Sequence, residues 1–294
     1  MVNTMRLRLF LFCCCVFVAH VVGAQSKTYS LGFFTGIISP YSFDQGINSD
    51  PRYRTKYDLK FAPIGVSFGI DFPRYGLLFS PGIVNTGQNY FIVNNRGGHE
   101  GIQKTNLQYL AVPLAAKFYL IDLTFFKVSA VTGVSAALLL NGRQLITHDA
   151  GLFRFQDELY PILPNTYTPM ADGVQAPKVN SFTMAEKTDF KNTQLFVLLG
   201  IRSDWNASED WRVSFDMRVN FGLLDPRTNS YQDKIARYQT LYSLPGSRHE
   251  FFAQLTVGVS RYVVIKPKAK AAKSKKRFVP KKYPSVRSSR QGPK

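Results

Sequence analysis

From Trp211 to Gly222 every second side chain is large and apolar: Trp211, Val213, Phe215, Met217, Val219 and Phe221 alternate with Arg212, Ser214, Asp216, Arg218, Asn220 and Gly222. Ile64 to Phe72 repeats the pattern, with Ile64, Val66, Phe68, Ile70 and Phe72 on one face and Gly65, Ser67, Gly69 and Asp71 on the other. A period of two puts alternate side chains on opposite faces of a strand, whereas a helix would scatter them. Further strands are expected over Tyr29 to Ile38, Gly76 to Phe91 (frayed beyond Asn85), Asn106 to Leu120, Phe126 to Leu140, Gln194 to Trp205 and Glu250 to Val264, eight in all.

Alternation alone allows a soluble sandwich, whose apolar face is a shared core, or a membrane barrel, whose apolar face meets lipid. The connections discriminate. Tight turns at Pro73 to Tyr75, Ile121 to Thr124 and Asn206 to Asp210 alternate strictly with long segments at Pro40 to Tyr57, Val93 to Thr105, Asn141 to Thr193 and Asp225 to His249. Outer-membrane barrels show this rotation of short periplasmic turns and long external loops, and an even strand number returns both termini to the periplasm. Phe72, Tyr75, Phe118, Phe126, Trp205 and Trp211 flank the tight turns and are expected outside, as an interfacial aromatic girdle. Free strand edges in hydrocarbon would leave backbone groups unpaired, so Tyr29 to Ile38 is expected to pair with the last strand. The fold expected is an eight-stranded antiparallel transmembrane up-and-down β-barrel with long external loops.

Residues 1–24 carry Arg6 and Arg8, an apolar stretch from Leu9 to Val22 and the small-residue sequence Val22-Gly23-Ala24. This reads as a signal peptide cleaved between Ala24 and Gln25. Cys13, Cys14 and Cys15 all lie within it, so the exported chain would have no disulfide and no cysteine-ligated metal. The formal charge of +18 is concentrated at the other end, because Lys266 to Lys294 holds twelve Lys and Arg and no acidic residue. Basicity therefore belongs to a tail, and no nucleic-acid-binding domain is implied. That segment, 266–294, with Pro267, Pro280, Pro284 and Pro293, reads as a disordered periplasmic tail. Anionic lipid, peptidoglycan or an acidic periplasmic protein would be its partner. The barrel domain is 25–265.

Tyr109-Leu110-Ala111-Val112-Pro113-Leu114-Ala115-Ala116-Lys117-Phe118-Tyr119 resembles the signature strand of the PorT-like outer-membrane barrel family of Bacteroidota, which runs Tyr-Leu, two residues, Pro-Leu, then Lys and aromatics. Val128 to Leu140, with Gly133, is similar to that family's next strand, and Arg218 to Leu223 to its penultimate one. The resemblance implies an outer-membrane barrel over Tyr29 to Val264. Some relatives are implicated in type IX protein secretion and gliding motility. The long third loop and the basic tail depart from the pattern.

Strand parity turns Asp71, Lys117, Arg202, Asp204, Arg212, Asp216 and Arg218 inward. In a barrel narrow enough for side chains to fill, they are expected to form an ion-paired plug, the alternative being a passage or site for a small anion. Outside the leader the histidines are His99, His148 and His249, all in or beside expected loops. Ser247 and Glu250 lie close to His249 and Asp149 follows His148, which keeps a membrane-embedded hydrolase as an unfavoured alternative. No spacing suggests a metal site or a cofactor. The third loop, with Phe153, Phe155, Leu159, Tyr160, Ile162, Leu163 and Tyr167, is too apolar for a solvated connection and is expected to cross the barrel mouth, to present a surface to a partner, or to pack locally with none. The function read from these features is non-enzymatic: an outer-membrane scaffold or accessory subunit of an envelope complex, in lipid and bound to envelope or secretion-machinery proteins. A narrow channel or small-solute-binding barrel is the second reading.

Overall fold

The computed structural model describes residues 27–61 and 63–265. The cleavage point at Ala24 and Gln25 and the basic tail with its partners lie outside the described residues. The strands are β1 (Lys27–Asp44), β2 (Tyr53–Lys56), β3 (Lys60–Phe61), β4 (Ile64–Asp71), β5 (Tyr75–Phe79), β6 (Gly82–Thr86), β7 (Asn89–Val93), β8 (His99–Asp122), β9 (Phe126–His148), β10 (Gly151–Phe153), β11 (Thr168–Met170), β12 (Gly173–Ala176), β13 (Val179–Ala185), β14 (Thr193–Asn206), β15 (Trp211–Gly222) and β16 (Arg248–Ile265).

β1, β4, the interrupted pair β5 and β6, β8, β9, β14, β15 and β16 are hydrogen-bonded in turn, all antiparallel. β16 then pairs with β1 from Lys27↔Ile265 to Asp44↔Arg248 and closes an eight-membered ring. Among the described residues each strand of the ring has a hydrogen-bonded neighbour on both sides. The described chain therefore begins and ends at the tight-turn end of the barrel.

Side chains follow the parity that the sequence prescribes. On β8 the outward positions Leu110, Val112, Leu114, Ala116, Phe118 and Leu120 are apolar, and β15 presents Trp211, Phe215, Met217 and Phe221 exposed. Beyond Leu110 the outward face of β8 turns polar at Gln108, Asn106 and Lys104, yet the strand goes on to His99. β9 likewise runs to His148, past a bulge at Leu140 that reverses its parity, so that Gln144, Ile146 and His148 point inward. β7 and β2 continue this wall on one side and β13 on the other. Much of what reads as the second and third loops is thus a sheet standing above the barrel rim.

The third barrel strand breaks twice. Pro81, lacking an N–H, separates β5 from β6, each of which pairs with β4 and β8. At Gly87 the backbone takes φ +88°, and a Cβ there would lie 2.8 Å from the Thr105 carbonyl, so only glycine fits. The Lys60 ammonium donates to the carbonyls of Thr86 (2.9 Å), Gly87 (2.7 Å) and Thr105 (3.1 Å), which the break leaves without ladder partners.

Phe72 departs from the girdle expectation. It is 6 % exposed, because β4 ends at Asp71 and strand parity ends with it. The Phe72 N–H donates to the Tyr75 carbonyl (2.8 Å) and its ring stacks on Tyr75, centroids 4.8 Å apart. Phe118, Trp205 and Trp211 are exposed at this end, and Tyr75 and Phe126 are half-buried.

Candidate functional site

Inside the lower barrel all seven inward charges meet in one network. Lys117 Nζ lies 2.5 Å from Asp71 and 3.5 Å from Asp204. Arg212 Nη1 donates to Asp71 (2.6 Å) and also lies 3.9 Å from Asp204. Arg202 donates to Asp204 (2.8 Å), Asp216 (3.2 Å) and Ser214 Oγ (2.7 Å), and Arg218 Nε donates to Asp216 (2.7 Å). Ser214 Oγ in turn donates to Asp204 (2.7 Å). Strands on opposite sides of the ring supply these groups, so the network spans the lumen and ties β4, β8, β14 and β15 together. The void beside it, lined by Ser67, Arg202, Asp216 and Arg218, has a volume of about 40 Å³, enough for a few waters.

A second set of ion pairs sits at the opposite rim, where parity gave no guide. Asp50-Pro51-Arg52 and Asp225-Pro226-Arg227 are the same tripeptide and close the same ring. In each, the Arg backbone N–H and Nε donate to Asp Oδ1 while Nη2 donates to Oδ2. Nη2 of each also holds a carbonyl of the last long loop, Leu241 for Arg52 (3.0 Å) and Gly246 for Arg227 (2.6 Å). Burial pushes the Asp225 carboxyl up, but its bonds from the Arg227 side chain and from the Arg227 and Arg248 N–H groups hold it below the usual carboxylate range. Arg248 pairs with Glu250 (2.8 Å), which also accepts from Ser42 Oγ (3.1 Å). The repeated Asp-Pro-Arg was visible in the sequence and is the signal that would have found this clamp.

Over the clamp the long loops fold into a lid with its own core. Phe153, Phe155 and Leu159 of the third loop pack with Ile47, Tyr53, Tyr90, Ile146, Tyr242 and Leu244. The third loop therefore lies across the mouth, packed on the first and last loops. The Arg52 guanidinium lies over the Phe155 ring at 4.1 Å. β10, β12 and β11 form a small separate sheet within the lid, while a helix at Asn229–Ala236, N-capped by Thr228, buries Tyr231 and Ile235 in the barrel's own core with Leu107, Ala185 and Phe190. Between the third and last loops lies a cavity of about 380 Å³, lined chiefly by apolar and aromatic side chains, among them Ile162, Tyr167, Phe182, Met184 and Tyr242.

The histidines are spread apart. His99 stacks on Phe91 (4.3 Å), and His249 approaches the Gly222 carbonyl (3.1 Å) and stacks on Phe221 (5.7 Å). His148, beyond the barrel rim, donates from Nδ1 to the Asp149 carbonyl (2.8 Å) and meets the Tyr242 hydroxyl at Nε2 (2.7 Å). Burial lowers its pKa, and the nearby Arg52 adds to this, against the bond to the Asp149 carbonyl, which raises it. None of the three bonds a serine hydroxyl or a carboxylate among the described residues, which also hold no cluster of three potential metal ligands.

No protein-family profile and no curated protein matches the chain. Among solved structures it is similar to Ail, the attachment invasion locus protein of Yersinia pestis, at 9% identity and TM-score 0.32 over 82% of this chain and 99% of that one. It is also similar to the outer membrane protease OmpT from Escherichia coli, at 10% identity and TM-score 0.36 over 82% and 98% of the two chains. The outer membrane protein OprG from Pseudomonas aeruginosa gives 12% identity and TM-score 0.34, over 82% and 97%. The closed barrel itself is established by this chain's own strand pairings.

Proposed function

We propose that the protein is an integral outer-membrane barrel, both termini periplasmic and the lid outside, whose lumen is plugged and whose role is that of a non-enzymatic scaffold or accessory subunit of an envelope complex. The observation that carries this reading is the inversion of the ordinary protein pattern: charges are inside, in pairs, and the exposed outer face is a predominantly apolar band, which on β8 turns polar at Gln108. Such a surface is stable only against acyl chains. The Tyr109–Tyr119 resemblance directs the search for partners to the type IX secretion machinery. Photo-cross-linking from exposed Met170 in intact cells tests the role. Cross-links to a protein of the export machinery are expected. Cross-links to lipid alone, with secretion at the wild-type rate in a deletion strain, would sink the scaffold reading.

A small-solute-binding barrel is the second reading, and the 380 Å³ cavity in the lid is what favours it.

A further inference from the structure

The lid cavity is built for a small molecule. Its volume, about 380 Å³, falls in the range of ligand pockets, about 300–1,000 Å³, and few polar groups converge on it. The backbone that forms one wall is held in an uncommon conformation: Tyr238 takes φ 51°, and the Gln239 N–H reaches back to the Lys234 carbonyl (2.9 Å). This glycine-type helix stop, occupied by tyrosine, aims Gln239 to Tyr242 at the cavity.

The polarity of its hydrogen-bonding group follows from a chain of bonds. The Asp149 carbonyl can only accept, so His148 carries its proton on Nδ1 and, being neutral, offers a lone pair at Nε2. Tyr242 must therefore donate its hydroxyl proton to Nε2. The Tyr167 hydroxyl, 2.8 Å from Tyr242, must then donate to the Tyr242 oxygen. Its own proton spent, the Tyr167 oxygen has only lone pairs left to offer.

We propose that this cavity binds a planar aromatic molecule bearing one hydrogen-bond donor, a ring N–H or a hydroxyl, with the ring among Phe182, Tyr242 and Met184 and the donor on the Tyr167 oxygen. Aromatic faces and a thioether suit a flat π-system. The acceptor selects the ligand's polar group. This rests on the second reading, a small-solute-binding barrel, and names its ligand class; it does not depend on the scaffold role.

Indole and 1-methylindole differ in the donor and in one methyl group, whose effect the Tyr167→Phe comparison subtracts; calorimetric titration of the full chain in detergent micelles at about pH 8, where His148 is neutral, compares them. Indole is expected to bind about tenfold more tightly, the discrimination of one well-made hydrogen bond. Tyr167→Phe should bring the ratio to within about twofold while weak binding persists. Tyr242→Phe, which frees the Tyr167 proton to donate, should narrow the ratio as well and serves if Tyr167→Phe does not fold. Gln239→Trp, at the exposed rim, should weaken both ligands together. Equal binding of the two indoles by the wild-type protein, no binding of either at millimolar concentration, or a ratio unchanged in both folded Tyr variants would overturn the proposal.

Discussion

Asp204 meets three cations, Arg202, Lys117 and Arg212, whereas Asp71 and Asp216 meet two each. Asp204→Asn would leave four buried cations facing two carboxylates. Removing one partner of a buried pair costs about 3–5 kcal/mol, because the remaining charge stays desolvated. The urea midpoint of folding into micelles should fall accordingly, and an unchanged midpoint would mean that water already screens the lumen. His148 sets a pH dependence of opposite origin. Its pKa is lowered in the folded lid by burial first and then by Arg52, with the Asp149 carbonyl bond and the charges of Asp149 and Glu100 opposing. The opened lid then binds the proton more tightly, so lid stability is full above the ordinary histidine value of about 6.5 and declines as pH falls through it. The decline levels off below the folded-state value. Hydrogen exchange in β10 to β12, corrected for its intrinsic pH dependence, should accelerate below about pH 6.5 in the wild-type chain and not in His148→Gln. The lumen residues were legible from sequence because strand parity is a strict geometric rule. The bond of His148 to Tyr242 and the Asp-Pro-Arg clamps were not legible, because they lie in segments where the apolar alternation stops and sequence spacing no longer fixes direction.

At the scale of the element, β8 carries two environments on one outward face, apolar from Leu120 to Leu110 and polar from Gln108 upward. The apolar part is about as long as the 9 to 11 residues that a tilted strand needs to cross hydrocarbon. The sequence reading stopped near Asn106 at one end, and ended β9 at Leu140, because the change of outward chemistry looks like the end of a strand. The backbone ladder does not end there, since β7 and β13 continue to pair beside the hairpin. Phe72 failed for the reverse reason, as a residue in phase with its strand but just past the end of it. The position of Leu114, central in the apolar part and 55% exposed, gives a direct test. In a bilayer Leu114→Arg should cost about 2–4 kcal/mol, the depth-dependent price of a cation on the lipid face. The same change at Asn106, above the switch, should cost close to nothing. Equal, small effects at both sites, measured as folding midpoints in vesicles, would remove the lipid from the outer face.

The whole molecule is closed twice, by charges low in the barrel and by an apolar lid above it, and the two closures share little. The lower network draws on β4, β8, β14 and β15, while β10 to β12 pair only with one another. The ring needs none of the lid strands to close. Replacing residues 151–176 by a short glycine-serine linker should therefore leave a barrel that folds and shows the usual shift of gel mobility on heating. It would expose Tyr53, Tyr90, Ile92 and Ile146, which the lid buries, so some loss of solubility is expected with it. In planar bilayers the lidless form should still pass no steady current, since the void beside Arg202 and Arg218 is about 40 Å³. Steady conductance in the lidless form alone would make the lid the true gate and the charges beneath it the lining of a pore. Conductance in the intact protein would refute the plug altogether, and with it the argument that four cations and three carboxylates are there to fill the barrel rather than to pass an ion through it.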